Sequence, residues 1–473
     1  MERSCLYEVW SGFARFGRAL LYSVVLFAVV LINCRPASAL PAFARKYGMP
    51  CSSCHEAWPK LSPFGQQFKD NGYQMGNDRD APIFQQAAYW PVTFRITPIW
   101  HRENTAKAMV DGATAGTSTE ASVTTHGFDL SGLDFHTGGT LANNVSFYVL
   151  PSSDQFAKFH FESVWARLDN IGGSSWFNIK MGKFELDNLL SEKRILTLTG
   201  ISGVYTNYHF QPPGEGYTFG IGDNQLGLEW MGHSKDDRTR VSAALLSASE
   251  GTPGLPTSRG YDAYFAASRA FEVGSLGLQR VGGFAAIGQA PTYFQYTNGG
   301  PGTGIAGTGI GNKGFQRYGL IGMWYIKKFD ITTIYFHSHD DVFLGTNTAA
   351  NAGTAGLPAG AHAPSWNGGL FESHYNFNPQ LILINRYELV RMSQQPLPVV
   401  AGTPFTPGVS VPSSSFGNTD VLTFGFRYYP FISSRAGFAY HGEYAIMRQR
   451  GLAPVTFTDQ TSSSLLFGFD FDF

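Results

Sequence analysis

The chain has 473 residues, a formal net charge of −1, 55 glycines, 39 phenylalanines, 22 tyrosines and only 15% charged residues. That balance gives nucleic-acid binding no electrostatic support. After the N-terminal leader no apolar run approaches the roughly 20 residues a membrane helix needs, so glycine and aromatic abundance points to β structure, a barrel or a sandwich.

Arg3, Arg15 and Arg18 precede an apolar run from Ala19 to Ile32, and Ala37-Ser38-Ala39 supplies a small-x-small cleavage pattern. The spacing predicts a signal peptide over 1–39, cleaved after Ala39. An uncleaved anchor is the alternative, although the run is short for a full span. Leu31-Ile32-Asn33-Cys34 loosely resembles a lipoprotein signal, with Asn33 larger than that position normally wants. Cys5 and Cys34 fall inside the leader, so the mature chain keeps Cys51 and Cys54 alone.

Those two cysteines stand in Cys51-Ser52-Ser53-Cys54-His55, a C-x-x-C-H. In that motif two thiols add across the vinyl groups of haem and the adjacent histidine ligates the iron; a two-residue gap puts both sulfurs at the porphyrin edge. A redox C-x-x-C would want a βαβ context and a zinc site a second ligand pair nearby. Neither is visible. The expectation is one haem c, held covalently by Cys51 and Cys54 with His55 as proximal iron ligand.

The segment over 40–85 reads as a small α-helical mono-haem cytochrome c unit. Ser62 is placed to cap a short helix with Pro63 at its first position, and Asn71-Gly72 supplies a stop. Phe64 and Phe68, four residues apart, share a face suited to a porphyrin or to packing against the rest of the chain. Met75 lies far enough beyond the helix to loop to the far haem face and is the candidate distal ligand. Met49 is too close to Cys51, and a distant histidine such as His101 is the other option. A methionine would raise the potential relative to two histidines. At this size the segment falls below what folds alone without a staple; haem is one, and the remaining chain is the other.

From 86 to 473 the sequence is a succession of alternating segments. Leu465, Phe467, Phe469, Phe471 and Phe473 alternate with Leu466, Gly468, Asp470 and Asp472. Val92 to Trp100, Phe177 to Gly182 and Leu226 to Met231 repeat the pattern. The stretches 261–271, 276–288, 316–326, 329–340, 365–376, 380–393, 420–431 and 435–449 read as further strands. Brief turns at Ala142-Asn143-Asn144 and Phe377-Asn378-Pro379 contrast with long loops expected over 102–122, 290–314, 341–363 and 394–417. Short turns on one side, long loops on the other and a terminal aromatic strand ending on Phe473 resemble bacterial outer-membrane barrels. The predicted fold is all-β: an antiparallel outer-membrane β-barrel of about 16 strands, with 187–221 ambiguous. Lipid outside and water inside demand period-two alternation, and closure satisfies every backbone hydrogen bond. Such a barrel leaves a lumen, toward which Arg95, Lys180, Glu229, Asp470 and Asp472 point, setting ion selectivity or merely keeping the lumen wet. His337, His339 and Asp340, close together at a strand end, read as solvated groups more readily than as a metal site.

The motif in A-F-A-R-K-Y-G-M-P-C-S-S-C-H, followed by P-K-L-S-P-F-G-Q-Q-F-K-D-N-G-Y and a barrel ending on Phe473, resembles the fused outer-membrane cytochrome–porin family. The resemblance covers essentially the whole mature chain; its N-terminal motif is specific and its barrel generic. It implies an electron conduit in the bacterial outer membrane, an oxidoreductase that oxidises extracellular Fe(II) by one electron at the haem. The electron would pass to a periplasmic c-type cytochrome or cupredoxin. A solute porin whose haem segment plugs, gates or senses redox state is the alternative, and a haem enzyme with a small-molecule donor is a third reading.

Overall fold

The computed structural model describes Tyr47, Met49, 51–57, 60–70, Tyr73, 92–114, 117–153, 158–186, 224–247, 261–291, 312–340, 365–378, 380–393, 418–432, 437–450 and 459–472. All of them belong to one compact unit, Leu40–Phe473.

Sixteen strands form a closed antiparallel barrel. In chain order they are β1 (Val92–Asp111), β2 (Ser118–Ala142), β3 (Val145–Ser153), β4 (Phe159–Leu168), β5 (Asn178–Glu185), β6 (Asn224–His233), β7 (Thr239–Ser247) and β8 (Tyr261–Glu272). They continue as β9 (Leu278–Pro291), β10 (Asn312–Ile326), β11 (Phe329–Asp340), β12 (Ser365–Asn378), β13 (Leu381–Met392), β14 (Asn418–Ile432), β15 (Gly437–Arg450) and β16 (Gln460–Asp472). Each strand pairs with its neighbours in sequence, and β16 closes on β1 with Phe467 opposite Trp100 and Asp472 opposite Arg95. Closure leaves no edge, so the ladder's backbone groups are paired without water.

The alternation read from the sequence is the alternation of the two barrel faces. On β13, Ile382, Ile384, Arg386, Glu388, Val390 and Met392 are buried, whereas Leu383 and Tyr387 are 43% and 37% exposed. On β16, Leu466 and Asp470 are buried while Phe467 and Phe469 face outward. The outward row continues around the barrel with Leu228, Phe265, Leu320, Phe424 and Tyr440. Exposed apolar rings on every side are costly in water and favourable in hydrocarbon. The exterior therefore defines a membrane-embedded barrel.

One predicted loop is a pair of strands. The stretch 102–122 continues β1 and β2 as a hairpin, with Arg102 opposite His126, Thr105 opposite Val123 and Asp111 opposite Ser118. Its Thr- and Val-containing second arm, Ser118 to Thr125, suits extended backbone although it is polar. Gly112 N–H donates to Thr117 O at 2.8 Å to close the tip. The expected loops over 341–363 and 394–417, and the ambiguous 187–221, lie outside the described residues, as does 292–311 within the loop expected at 290–314.

The inner wall differs from a wet pore lining. Lys180 and Glu229, both buried, form an ion pair at 2.5 Å across β5 and β6. Arg386, fully buried on β13, lies 3.1 Å from Glu372, 3.3 Å from Glu388 and 3.7 Å from Glu443. His374 Nε2 is 2.8 Å from Glu372. Arg427 and His441 converge on Asp470 at 2.7 and 3.2 Å, and Arg95 pairs with Asp134. Lys180, Glu229 and Asp470 are thus paired and buried, while Arg95 stays partly exposed; the side chain of Asp472 lies outside the described residues. From β8 to β13 the wall also carries an apolar cluster, with Tyr264, Phe284, Phe315, Phe336 and Trp366 buried together beside these charges.

Candidate haem-attachment site

The C-x-x-C-H motif folds as one helical turn, α1 (Cys51–Cys54), followed by a two-strand ladder that pairs His55 with Leu61 and Ala57 with Lys60, and then α2 (Pro63–Asp70). The helical turn sets the two cysteines three residues apart along one face of the backbone, and His55 leaves it in extended conformation.

Ser62 joins the two helices. Its hydroxyl accepts from Gly65 N–H at 3.1 Å, capping α2 as the sequence predicts. The same hydroxyl donates to Ser53 O at 2.9 Å, and Ser62 N–H donates to Cys54 O at 2.8 Å. One residue therefore caps the start of α2 and satisfies carbonyls that the end of α1 would leave unpaired. Gly65 completes the joint: a Cβ there would stand 2.0 Å from Cys54 O. Only glycine lets α2 approach the motif this closely.

Cys54 is half-buried, and burial pushes its thiol from the ordinary 9.0 up to about 11. The site disfavours a charged sulfur. Two thiols three residues apart on one helical turn, with His55 next in sequence, are the donor set that a covalent haem takes. The side chains of Cys51 and His55 and the whole of Met75 lie outside the described residues, so the predicted axial pair has no geometry here. His101 is on β1 opposite Leu466, on the inward side, with Nδ1 3.9 Å from Glu103. His337 is hydrogen-bonded to Asn367 at 2.9 Å with its ring tilted against Tyr318, and among the described residues no three His, Cys, Asp or Glu side chains gather as metal ligands.

The two phenylalanines of α2 part company. Phe68 is buried in the cluster formed with the barrel's inner wall, whereas Phe64 stays half-buried. Asn71-Gly72 lies outside the described residues; α2 ends at Asp70, and Tyr73 N–H donates back to Phe68 O at 2.9 Å with Tyr73 at φ 61°. A non-glycine residue with this backbone is held there by its surroundings. Tyr73 is buried, with its ring stacked on Trp165 at 5.9 Å and on Tyr148 at 6.2 Å, and Tyr47 hydroxyl donates to its carbonyl at 3.3 Å.

Lys69 ties the end of α2 to the wall. Its ammonium donates to Glu185 at 2.8 Å, while Arg167 donates to Lys69 O at 2.9 Å. Sequence reasoning missed Gly65, Lys69, Tyr73, Trp165, Arg167 and Glu185. A hydrophilic Lys69 and a lone Arg167 carry no local signal, since their partner is about a hundred residues away in the chain.

A closed sixteen-strand antiparallel barrel with an apolar exterior is the construction of bacterial outer-membrane proteins, and this chain is one. No protein-family model matches it and no curated protein matches it. Among solved structures it is similar to an anion-selective porin from Comamonas acidovorans, at 10% identity, 81% of this chain, 98% of that one and TM-score 0.49. It is also similar to the outer membrane channel DcaP of Acinetobacter baumannii, at 8% identity, 82% of this chain, 100% of that one and TM-score 0.44. A third is a loop-deletion mutant of OmpT from Vibrio cholerae, at 12% identity, 81% and 100% coverage and TM-score 0.45. Likeness at this level carries no functional argument; the barrel assignment stands on the chain's own strand register.

Proposed function

We propose that the protein is an outer-membrane electron conduit, in which the barrel holds a haem-bearing segment against its inner wall. The observation that carries this reading is the joining of the C-x-x-C-H segment to the wall through Phe68, Lys69 and Tyr73, beside inward groups that are buried rather than water-lined. Cys51 and Cys54 would hold haem c, and His55 would be its proximal ligand. Bound there, the group supplies one-electron transfer. The chain's own residues do the rest: Ser62 and Gly65 fix the motif to α2, and α2 fixes it to the wall. Extracellular Fe(II), the donor implied by the resemblance, suits a site in the outer membrane because ferric products are poorly soluble near neutral pH. Oxidation there keeps them out of the periplasm. A periplasmic cytochrome or cupredoxin would take the electron.

The test is an anaerobic visible spectrum of the oxidised protein in membranes, mixed with ferrous iron. Appearance of the reduced α band within seconds is expected. Reduction by dithionite but not by ferrous iron removes iron as donor; absence of covalent haem removes the redox reading altogether.

The sixteen-strand closure favours a second reading, since barrels of that size commonly leave an aqueous channel. In it the protein is a solute porin and the N-terminal segment a plug. Solute flux independent of haem would favour it.

A further inference from the structure

At Lys69 the segment meets the barrel through two routes. Glu185 takes the Lys69 ammonium, and Arg167 takes the Lys69 carbonyl. That carbonyl belongs to the last turn of α2, whose C-terminal carbonyls lack intrahelical partners and carry the negative end of the helix dipole. A buried guanidinium from the wall therefore caps a helix that belongs to the segment.

Both routes continue into the wall. Arg167 Nε donates to Asp169 at 2.5 Å, and Asp169 accepts from Ser146 hydroxyl at 2.7 Å. Lys180 donates to Glu185 O at 3.0 Å and pairs with Glu229, which accepts from Ser242 hydroxyl at 2.7 Å. The guanidinium also sits 5.7 Å from the Trp165 ring, and Trp165 stacks on Tyr73. Five consecutive strands, β3 to β7, thus contribute to holding the C-terminal turn of α2 and Tyr73 beyond it. Charges this deeply buried are costly to leave half-paired, so withdrawing Lys69 would cost the wall as well as the segment.

We infer that the N-terminal segment is a fixed plug, locked by Arg167 and Glu185 onto Lys69, and not a gate that swings in and out of the barrel. Arg167 is a positioning residue: it sets where the segment sits and touches no reacting group. The inference rests on the proposed function only in calling the segment haem-bearing, since a locked plug has consequences with or without haem.

The experiment uses the full-length purified protein in planar lipid bilayers, with trypsin accessibility of the segment as second readout. The wild type is expected to pass little current and resist cleavage after Lys60, the trypsin site that Lys69→Met leaves in place. Lys69→Met and Arg167→Ala should each raise the current roughly tenfold or more, as sixteen strands regain an aqueous channel, and expose the segment to trypsin. Arg167→Lys should return both readouts toward wild type. Lys69→Met changes no barrel strand, so it keeps the test decisive if Arg167→Ala fails to insert, which heat-modifiable migration on a gel reports. Wild-type current already at the level of the variants, or variants as closed and protected as wild type, overturns the lock. Haem content and reduction by ferrous iron are read separately, so loss of the redox reading leaves these outcomes intact.

Discussion

In the barrel, a residue's surroundings follow from its parity along a strand. Leu383 and Tyr387 face outward because they are odd members of β13, and Ile384, Arg386 and Glu388 face inward because they are even. In the N-terminal segment no such rule operates. Gly65 is required by one carbonyl, Ser62 by three partners, and Tyr73 by two rings and a positive φ. A repeated pattern tolerates a single error because fifteen other strands still close. A unique joint does not. The comparison teaches that damage to the segment should remove function while the barrel persists, and damage to the buried ion pairs away from the segment should lower barrel stability while haem attachment persists.

The largest expected effect is all-or-none. Cys51→Ala/Cys54→Ala should abolish covalent haem, seen as loss of haem stain on a denaturing gel, while heat-modifiable migration of the barrel is unchanged. Retained stain would break the assignment of the motif, and loss of the folded barrel would break the claimed independence.

Next is the wall. Arg386→Met leaves Glu372, Glu388 and Glu443 buried without the cation they share. Removing one partner of such a group costs about 3–5 kcal/mol, read as a lowered urea midpoint of the barrel in detergent. Glu372→Gln added to it should recover part of the loss. Haem stain should survive wherever the barrel folds; a midpoint unmoved by Arg386→Met would show that the ionic half of the wall is wetter than its burial implies.

How much of this was legible follows the same division. Strand parity needs only neighbours in sequence, so β11 appears with its predicted bounds and the inward set Arg95, Lys180, Glu229 and Asp470 was named. The Ser62–Pro63 helix start was legible too, because caps are local. What failed was any reading that needed a distant partner or a choice between polar strand and polar loop. The hairpin over 102–122 reads as a loop until its second strand is laid beside it. The burial of the inward charges is invisible until Arg386 meets carboxylates from three strands. The fate of Phe64 and Phe68, one face in sequence and two environments in the fold, depends on the wall.

Gly65→Ala sharpens the comparison inside the segment. The new methyl would overlap Cys54 O, a backbone atom, and overpacking of this kind costs about 1–3 kcal/mol. Haem-loaded protein should become sensitive to trypsin within 60–70 while the barrel's urea midpoint holds. Ser62→Ala, which deletes the cap and the bond to Ser53 O, should act in the same direction by about 1 kcal/mol. Equal protection in both variants and wild type would mean that α2 does not hold the motif.

The smallest effect at neutral pH is the one tied to ionisation of Cys54. Burial raises this thiol from 9.0 to about 11 in the docked segment. The docked state therefore holds its proton more tightly than the undocked one, and the contribution to docking is complete below about 9 and lost as pH rises toward about 11. Haem-free protein, produced without cytochrome maturation, should lose trypsin protection of the segment across that window. Haem-loaded protein should lose less of it than haem-free protein in that window, because a thioether sulfur has no proton to release and only the Lys69 ammonium of the lock is left to titrate. Haem-free Cys54→Ala supplies the control: lacking the thiol, it should follow the haem-loaded protein. If haem-free and haem-loaded proteins lose protection at the same pH and to the same extent, a group other than Cys54 drives the change.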